Sequence, residues 1–499
     1  MRVHPLTPVE SQSKPGWIIE KLILCFFLVM TLVLIGISLS SSFSGWSQRQ
    51  YTQMAVFVAV VMLGCCLLLW AKPSPNRVLW AIMLLSLVIR LFFAVAIPTE
   101  QISDFSILYE AAQSAAMGDF SWAHAQSGYF YYWAYQIPFA LYEAVILRLF
   151  HSMLALKLFN VLVMVGANYL LYRIAKLYLS ETASLCVTLI YAIHPETLVW
   201  TTVLTNQHIA VFFLLLGALF LLRATCWRDF ALAGVSWAIS DLMRPEAIVI
   251  VAACVGCMAL RCIQRPDAAM LKRAALSLVA MLACYCLVKY LAEALLIWTG
   301  ISPSGIPNRT PEWKFILGLG NVEGAGTYSA EHLDVLDMDS ASRRAVLMEV
   351  IDNLSHSSVA ELIHFIIGKL RVIWTNCQTS WWMFFGVDPE YQILPALGLT
   401  KSSLSYLDWG GVGTQLFVYM LALPAPILLW KSNKYGRGLF CLAVVCVAIC
   451  AFLLIEVQVR YRLMVDPFWL LVSGITLDQL AQLNVLSRRP RLPNALRKE

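Results

Sequence analysis

Charge is what this sequence has least of. Asp, Glu, Lys and Arg supply 13% of its 499 residues, against about 25% in an average soluble domain. Hydrophobic residues supply 60% and the mean hydropathy is +0.71, more apolar side chain than a soluble core could absorb. Phosphate-binding glycine patterns are missing too. No P-loop and no strand-linked dinucleotide fingerprint mark a soluble nucleotide site. No short hydrophobic region with a small-residue cleavage site opens the chain, so residues 18–40 read as a retained span. His124, His194, His208, His332, His356 and His364 lack metal-ligand spacing, so no metal or other cofactor is expected. There are 14 cysteines, but most sit inside apolar runs, as do Cys254 and Cys257. Only Cys377 lies in a long polar connection, so no disulfide framework is implied. The net charge is +6, but Lys and Arg do not gather in one soluble domain, which makes nucleic acid a poor partner.

What is present is a series of long apolar runs, at about 18–40, 52–71, 78–97, 153–172, 182–200, 208–222, 229–243, 245–261, 274–298, 411–430, 438–456 and 463–480. Lipid offers no partner for backbone polar groups, so such runs must be helices. The expected fold is an all-α polytopic membrane protein, a single unit over 1–499, with about twelve transmembrane helices (range about 11–13). Placing the N-terminus inside puts Arg2, Lys14, Lys72, Arg77, Arg173, Lys176, Arg223, Arg228, Arg261, Arg265, Lys272, Arg273, Lys431, Lys434 and Arg437 in inner segments. A basic tail over 483–499, with Arg488, Arg489, Arg491, Arg497 and Lys498, joins them. The short outer loops hold little beyond Arg49, as the positive-inside rule requires. Both termini are therefore expected in the cytoplasm, with the chain in an inner membrane and its active face toward the periplasm.

Two outer segments, 98–152 and 300–410, exceed simple turns, and long structured loops are usually functional. The first holds an amphipathic stretch from Ser103 to Met117, an aromatic cluster (Tyr129, Phe130, Tyr131, Tyr132, Trp133, Tyr135) that reads mainly as a headgroup belt, and an interfacial helix over 136–151. The second holds a helical stretch from Ser358 to Trp374, the aromatic run Trp381, Trp382, Phe384 and Phe385, and a Gly-rich turn with Gly318, Gly320, Asn321, Gly324 and Gly326. Nucleotide sugars and ATP are not expected on that face, so the chemistry points to lipid-borne donors.

Few residues there could carry it. Asp104, four residues after Glu100, could take a proton from an acceptor hydroxyl, or could simply cap the helix that follows. Arg244, inside 229–261, could hold a phosphate in bidentate fashion or pair with Glu246 or Asp241. Glu456 and Arg460, four apart, would face each other on a helix, leaving Arg462 to meet a phosphate and Tyr461 to pack. Lys369 and Arg371 either reach to headgroups or border a donor entrance.

Taken in order, Asp104, Tyr109, Ala112 and Gly118-Asp119, then His194-Pro195-Glu196 and Asn206, then Leu242 to Glu246, then Glu456 to Arg462 before Asp466-Pro467, resemble the GT-C glycosyltransferases. More narrowly they resemble family 39, the bacterial relatives of protein O-mannosyltransferases and lipid A aminoarabinose transferases. The resemblance implies a polyprenyl-phosphate sugar donor and inverting transfer to a hydroxyl of a glycan, lipid or protein. It makes Asp104 the base, sets Arg244, Arg460, Arg462 and Lys369 around the donor phosphate, and puts Glu100, Tyr109, Asn206 and Glu456 in the substrate pocket. Some members bind a divalent metal through paired acids; here Asp104 stands beside Phe105 and no metal is indicated. The rivals are an O-antigen ligase or polymerase, which would not need Asp104, and a lipid or solute transporter, which should show repeated halves.

Overall fold

The structure, a computed structural model, describes residues 13–43, 47–71, 74–377, 380–388, 390–394, 399–404, 406–432 and 436–487. The basic tail beyond residue 487, with Arg2, Lys72 and Lys434, lies outside the described residues.

Helices α1 (Lys14–Phe43), α2 (Gln48–Ala71) and α3 (Pro75–Ala96) lead into a long connection holding α4 (Asp104–Ala116), α5 (Tyr129–Tyr132) and α6 (Ile137–Phe150). Next come α7 (Met153–Ala175), α8 (Glu181–Ile193), α9 (Pro195–Val199), α10 (Gln207–Arg223), α11 (Trp227–Met243), α12 (Ile248–Gln264) and α13 (Ala268–Trp298). The second long connection carries α14 (Trp313–Gly320), α15 (Ser340–His356), α16 (Val359–Leu370) and α17 (Ser380–Met383). A small antiparallel hairpin of β1 (Gln392–Leu394) and β2 (Leu399–Thr400) and the short α18 (Lys401–Leu404) complete it. Then follow α19 (Tyr406–Ala422), α20 (Ala425–Lys431), α21 (Gly438–Leu454) and α22 (Asp466–Ser487).

The protein is an all-α polytopic membrane protein, and each of the twelve apolar runs is helical. Among the described residues, six helical stretches are long and apolar enough to cross a membrane, the fourth and fifth being α7 and α13 and the last running through α19 and α20. The bent pair of α8 and α9 would make a seventh. Helices α10, α12 and α21 are apolar but 17 residues long. Helix α6, at 14 residues, spans only about 21 Å and packs on α4 and α7. The interior is built around α22, which packs on α8, α19 and α21 and buries Phe468, Trp469, Leu471, Val472 and Ile475 completely. Helices apolar on every side are what a membrane interior selects.

The break between α8 and α9 has a chemical cause. Pro195 has no N–H, so the carbonyl of Tyr191 loses its helical partner. The two helices diverge by 51°. Arg90 on α3, fully buried, supplies the missing donors: its Nη2 reaches the Tyr191 carbonyl at 3.3 Å and its Nη1 the Ala192 carbonyl at 2.9 Å. It also binds Thr197 Oγ1 at 3.0 Å and Ser86 Oγ at 2.6 Å. A guanidinium is thus held inside the bundle by oxygen acceptors at the bend.

Candidate active site

Asp104 opens α4 where the chain leaves α3. The preceding Ser103 has φ 55°, a strained conformation for a residue with a side chain, and makes no capping hydrogen bond. Phe105 points the other way, 2% exposed, and packs edge-on against Trp200 and Trp382. With Phe105 anchored, the Asp104 carboxylate turns to Arg460, whose Nη2 donates at 2.9 Å. The capping role open to Asp104 from its position is therefore not where its side chain goes. The Asp104 side chain keeps 37% exposure, and the Arg460 guanidinium lies 4.9 Å over the Phe105 ring.

Arg460 belongs to the connection between α21 and α22. Glu456 and Arg460 do not face each other on a helix as their spacing suggests. Residues before 459 are extended because their N–H groups go elsewhere: Glu456 donates to the Lys314 carbonyl at 2.7 Å and Val457 to that of Gly326 at 2.9 Å. A tight 3-10 turn follows over Val459–Met464. Gln458 bridges the two residues, accepting from Arg460 Nε at 2.7 Å and donating to Glu456 Oε1 at 2.6 Å. The other Glu456 oxygen receives the Lys314 ammonium and the Tyr461 hydroxyl, the latter at 3.2 Å. Tyr461, expected only to pack, thus joins the cluster, and its hydroxyl also accepts from Lys314 at 3.1 Å.

Arg244 arrives from the break between α11 and α12. Its Nε pairs with Glu246 and its Nη1 donates to Asn206 Oδ1 at 3.1 Å. Asn206 in turn donates to Gln136 Oε1 at 3.0 Å and to the Met243 carbonyl at 3.1 Å. The Arg244 guanidinium sits 5.0 Å over the Tyr461 ring. Asp241 is engaged on α13, by Lys289 at 2.5 Å and Tyr285 at 2.8 Å.

Three cations from three parts of the chain therefore act on one carboxylate. Burial pushes the Asp104 carboxyl up, but Arg460, then Lys314 and Arg244, outweigh it and hold it below the usual carboxylate range. Two phenols complete the surroundings. Burial pushes Tyr135 up to about 12 and Tyr129 well above its ordinary value, so both remain hydroxyl donors at neutral pH.

Other expected residues lie elsewhere. Arg462 is fully buried: its Nη2 pairs with Glu196 and donates to Cys377 Sγ at 2.7 Å, its Nη1 donates to the Trp374 carbonyl at 3.1 Å, and its Nε lies 3.6 Å from Asp466. The expectation that Arg462 is free for phosphate is corrected, because the 3-10 turn points it into the bundle. Lys369 is corrected too: at 1% exposure it donates to the carbonyls of Gly318 at 2.6 Å and Ile455 at 2.8 Å, clasping the Gly-rich turn to the Glu456 segment. Glu100 is exposed and lies against Gly386, its N–H bound to the Phe385 carbonyl at 3.1 Å. The Tyr109 hydroxyl accepts from Gln113 at 3.1 Å, and burial, with Glu143 of α6 adding to it, pushes its phenol up. Neither Glu100 nor Tyr109 hydrogen-bonds Asp104. The structure brings together Asp104, Arg244, Asn206, Glu456 and Arg460, and adds Lys314, Gln458, Tyr461, Glu246, Tyr129 and Tyr135. Of these, Lys314 had a readable signal: a lone cation in the apolar stretch Trp313–Gly320 needs a partner. Among the described residues no three His, Cys, Asp or Glu side chains converge as metal ligands.

Residues 138–290, from α6 into α13, match the family model described as dolichyl-phosphate-mannose-protein mannosyltransferase. The matched stretch contains Asn206, Arg244 and Glu246; Asp104, Lys314 and Arg460 lie outside it. Among curated proteins, none matches the chain. Two solved structures of the oligosaccharyltransferase of Archaeoglobus fulgidus are similar, one in the apo form and one with an inhibitory peptide and a dolichol-phosphate. Each is 12% identical, with a TM-score of 0.39, over 84% of this chain and 51% of the archaeal one. The chain thus spans about half the length of those proteins.

Proposed function

We propose that this chain is an inverting glycosyltransferase that moves a sugar from a polyprenyl-phosphate donor to a hydroxyl acceptor at the outer face of an inner membrane. One observation carries the reading: a partly exposed carboxylate, Asp104, set among the guanidinium groups of Arg460 and Arg244 and the ammonium of Lys314. The family match over Asn206, Arg244 and Glu246 supports a lipid-phosphate sugar as donor.

The chemistry follows from the parts. The donor's phosphate oxygens lie against Arg460 and Arg244, whose planar donors suit them. Asp104 accepts the acceptor's hydroxyl proton. The freed oxygen forms a bond to the anomeric carbon from the face opposite the phosphate, and the carbon–oxygen bond to phosphate breaks, its electron pair passing to the phosphate oxygen. The charge that grows on the leaving phosphate meets fixed cations and the Tyr129 and Tyr135 hydroxyls, which stabilise it without reorganising. Acceptors carrying an exposed hydroxyl, on a glycan, a lipid or a protein, all fit this chemistry.

The test is transfer of radiolabel from a panel of polyprenyl-phosphate sugars in membranes holding the chain or its Asp104→Asn variant. The expected result is transfer that falls by about 10²–10⁴-fold in the variant, the range a positioned base contributes. Full activity of the variant would point to a ligase or polymerase of another kind. Lipid or solute movement with no sugar transfer would point to a transporter.

A further inference from the structure

The three cations of the site are already neutralised. Arg460 holds Asp104, Arg244 holds Glu246, and Lys314 holds Glu456. A phosphate anion arriving at a cluster balanced in this way gains little unless one carboxylate gives up its place. The three carboxylates differ sharply in how firmly they are held. Glu456 is 1% exposed and has Lys314, Tyr461 and Gln458 as donors. Glu246 is at 14% exposure and sits two residues from its partner in the same turn. Asp104 is 37% exposed, has Arg460 as its hydrogen-bond donor, and stands at the first residue of α4. Arg460, by contrast, is held in place without it, by Gln458 on Nε and by the Phe105 ring beneath.

We infer that Asp104 is a latch on Arg460: the carboxylate occupies the place of the donor phosphate, and donor binding displaces it. Exchange of one oxyanion for another on the same guanidinium leaves Arg460 paired throughout. It also frees Asp104 at the moment a base is wanted. A carboxylate pinned to a guanidinium accepts a proton poorly, so the latch keeps the base inactive until a donor is seated, and it makes binding ordered, donor before acceptor. This inference rests on the proposed lipid-phosphate reading and adds a competition within the site.

The competition gives a result that a structural role for Asp104 would not. Removing the carboxylate should lower transfer by about 10²–10⁴-fold and yet tighten donor binding. The probe is farnesyl phosphate, with farnesol as the control that shares its tail and lacks the phosphate. Binding is measured on the full chain in lipid nanodiscs by tryptophan fluorescence. Asp104→Asn should bind farnesyl phosphate about fivefold more tightly than the wild type, the scale set by a partly exposed ion pair. Farnesol binding should not change, and Arg460→Gln should lose the preference for the phosphate. Asp104→Ser, which cannot pair, serves as a second variant and should show the same gain. Equal or weaker binding of farnesyl phosphate by both Asp104 variants overturns the latch while leaving the transferase reading intact. A wild-type chain that does not prefer farnesyl phosphate over farnesol overturns both.

Discussion

Lys314 offers the sharpest test of the charge network. Replacing it by Met removes the ammonium from Glu456, a carboxylate only 1% exposed that would then keep Tyr461 and Gln458 as neutral partners. Breaking a sealed buried pair by removing one member costs about 3–5 kcal/mol. The Lys314 side chain is 36% exposed, so water can replace part of what it gives, and about 2 kcal/mol is the expected loss. Adding Glu456→Gln to Lys314→Met removes the stranded charge, and the double variant should return to within about 1 kcal/mol of the wild type. The assay is unfolding of the purified chain by SDS in mixed micelles. The pH dependence has a fixed sign. Burial raises the Glu456 carboxyl, but Lys314 and Gln458 outweigh it and hold it below the usual range. Its contribution is present above the ordinary glutamate value and is lost as pH falls through the lower folded value. The penalty of Lys314→Met should accordingly shrink in acid, where a stranded Glu456 takes up a proton. A double variant as unstable as Lys314→Met, or a single variant as stable as wild type at neutral pH, would refute the reasoning.

Arg462→Met should cost about 3–5 kcal/mol by stranding Glu196 and Asp466 inside the bundle, and should show as lost folded protein rather than as weaker donor binding. Arg244→Gln combined with Glu246→Gln, which leaves no stranded carboxylate, should do the reverse, keeping the chain folded while transfer falls. Arg90→Met should destabilise by about 1–3 kcal/mol through the unpaired carbonyls at the bend, and a further Pro195→Ala, which restores an N–H for the Tyr191 carbonyl, should recover part of it. Burial pushes Lys369 down from 10.5 to about 7, with Glu456 opposing. The unfolded chain therefore binds more protons between those values, so stability should rise with pH from about 7 to 10.5, and Lys369→Met should flatten the rise.

The helices were legible because lipid removes the alternatives. Where no water can satisfy a backbone, a run of about twenty apolar residues has one conformation open to it, and each of the twelve runs is helical. The breaks were legible only in part. The division of 229–261 into the runs 229–243 and 245–261 marked the gap between α11 and α12, yet Pro195 inside a run read as continuous hides a 51° bend, because its compensation by Arg90 comes from a helix about a hundred residues away. The helix α15 was not foreseen, since it is polar and rests on a local signal, Asp339 accepting from the Ser342 N–H at 2.8 Å.

The site divides along a similar line. A guanidinium inside an apolar stretch is costly without a partner, so Arg244 stood out by residue type alone, whereas Asp104 could equally have capped its helix and stood out only through the resemblance to the GT-C glycosyltransferases. What each one meets is a matter of long-range closure, which spacing does not encode. Arg460 and Arg462 differ by two positions and carry the same group, yet one reaches Asp104 and the other is sealed against Glu196. The cause is the backbone before them. Lys314 and Gly326 draw the N–H groups of Glu456 and Val457 out of helical register, and Lys369 clasps the same strand at Ile455. The segment therefore enters its 3-10 turn with Arg460 toward the cluster and Arg462 toward the core. Helical spacing leaves Arg462 as the freer arginine because it assumes a register that the second long connection overrides. Had Glu456 to Arg462 been helical, Glu456 would have paired with Arg460 directly, and Asp104 would have been left without the cation that holds it.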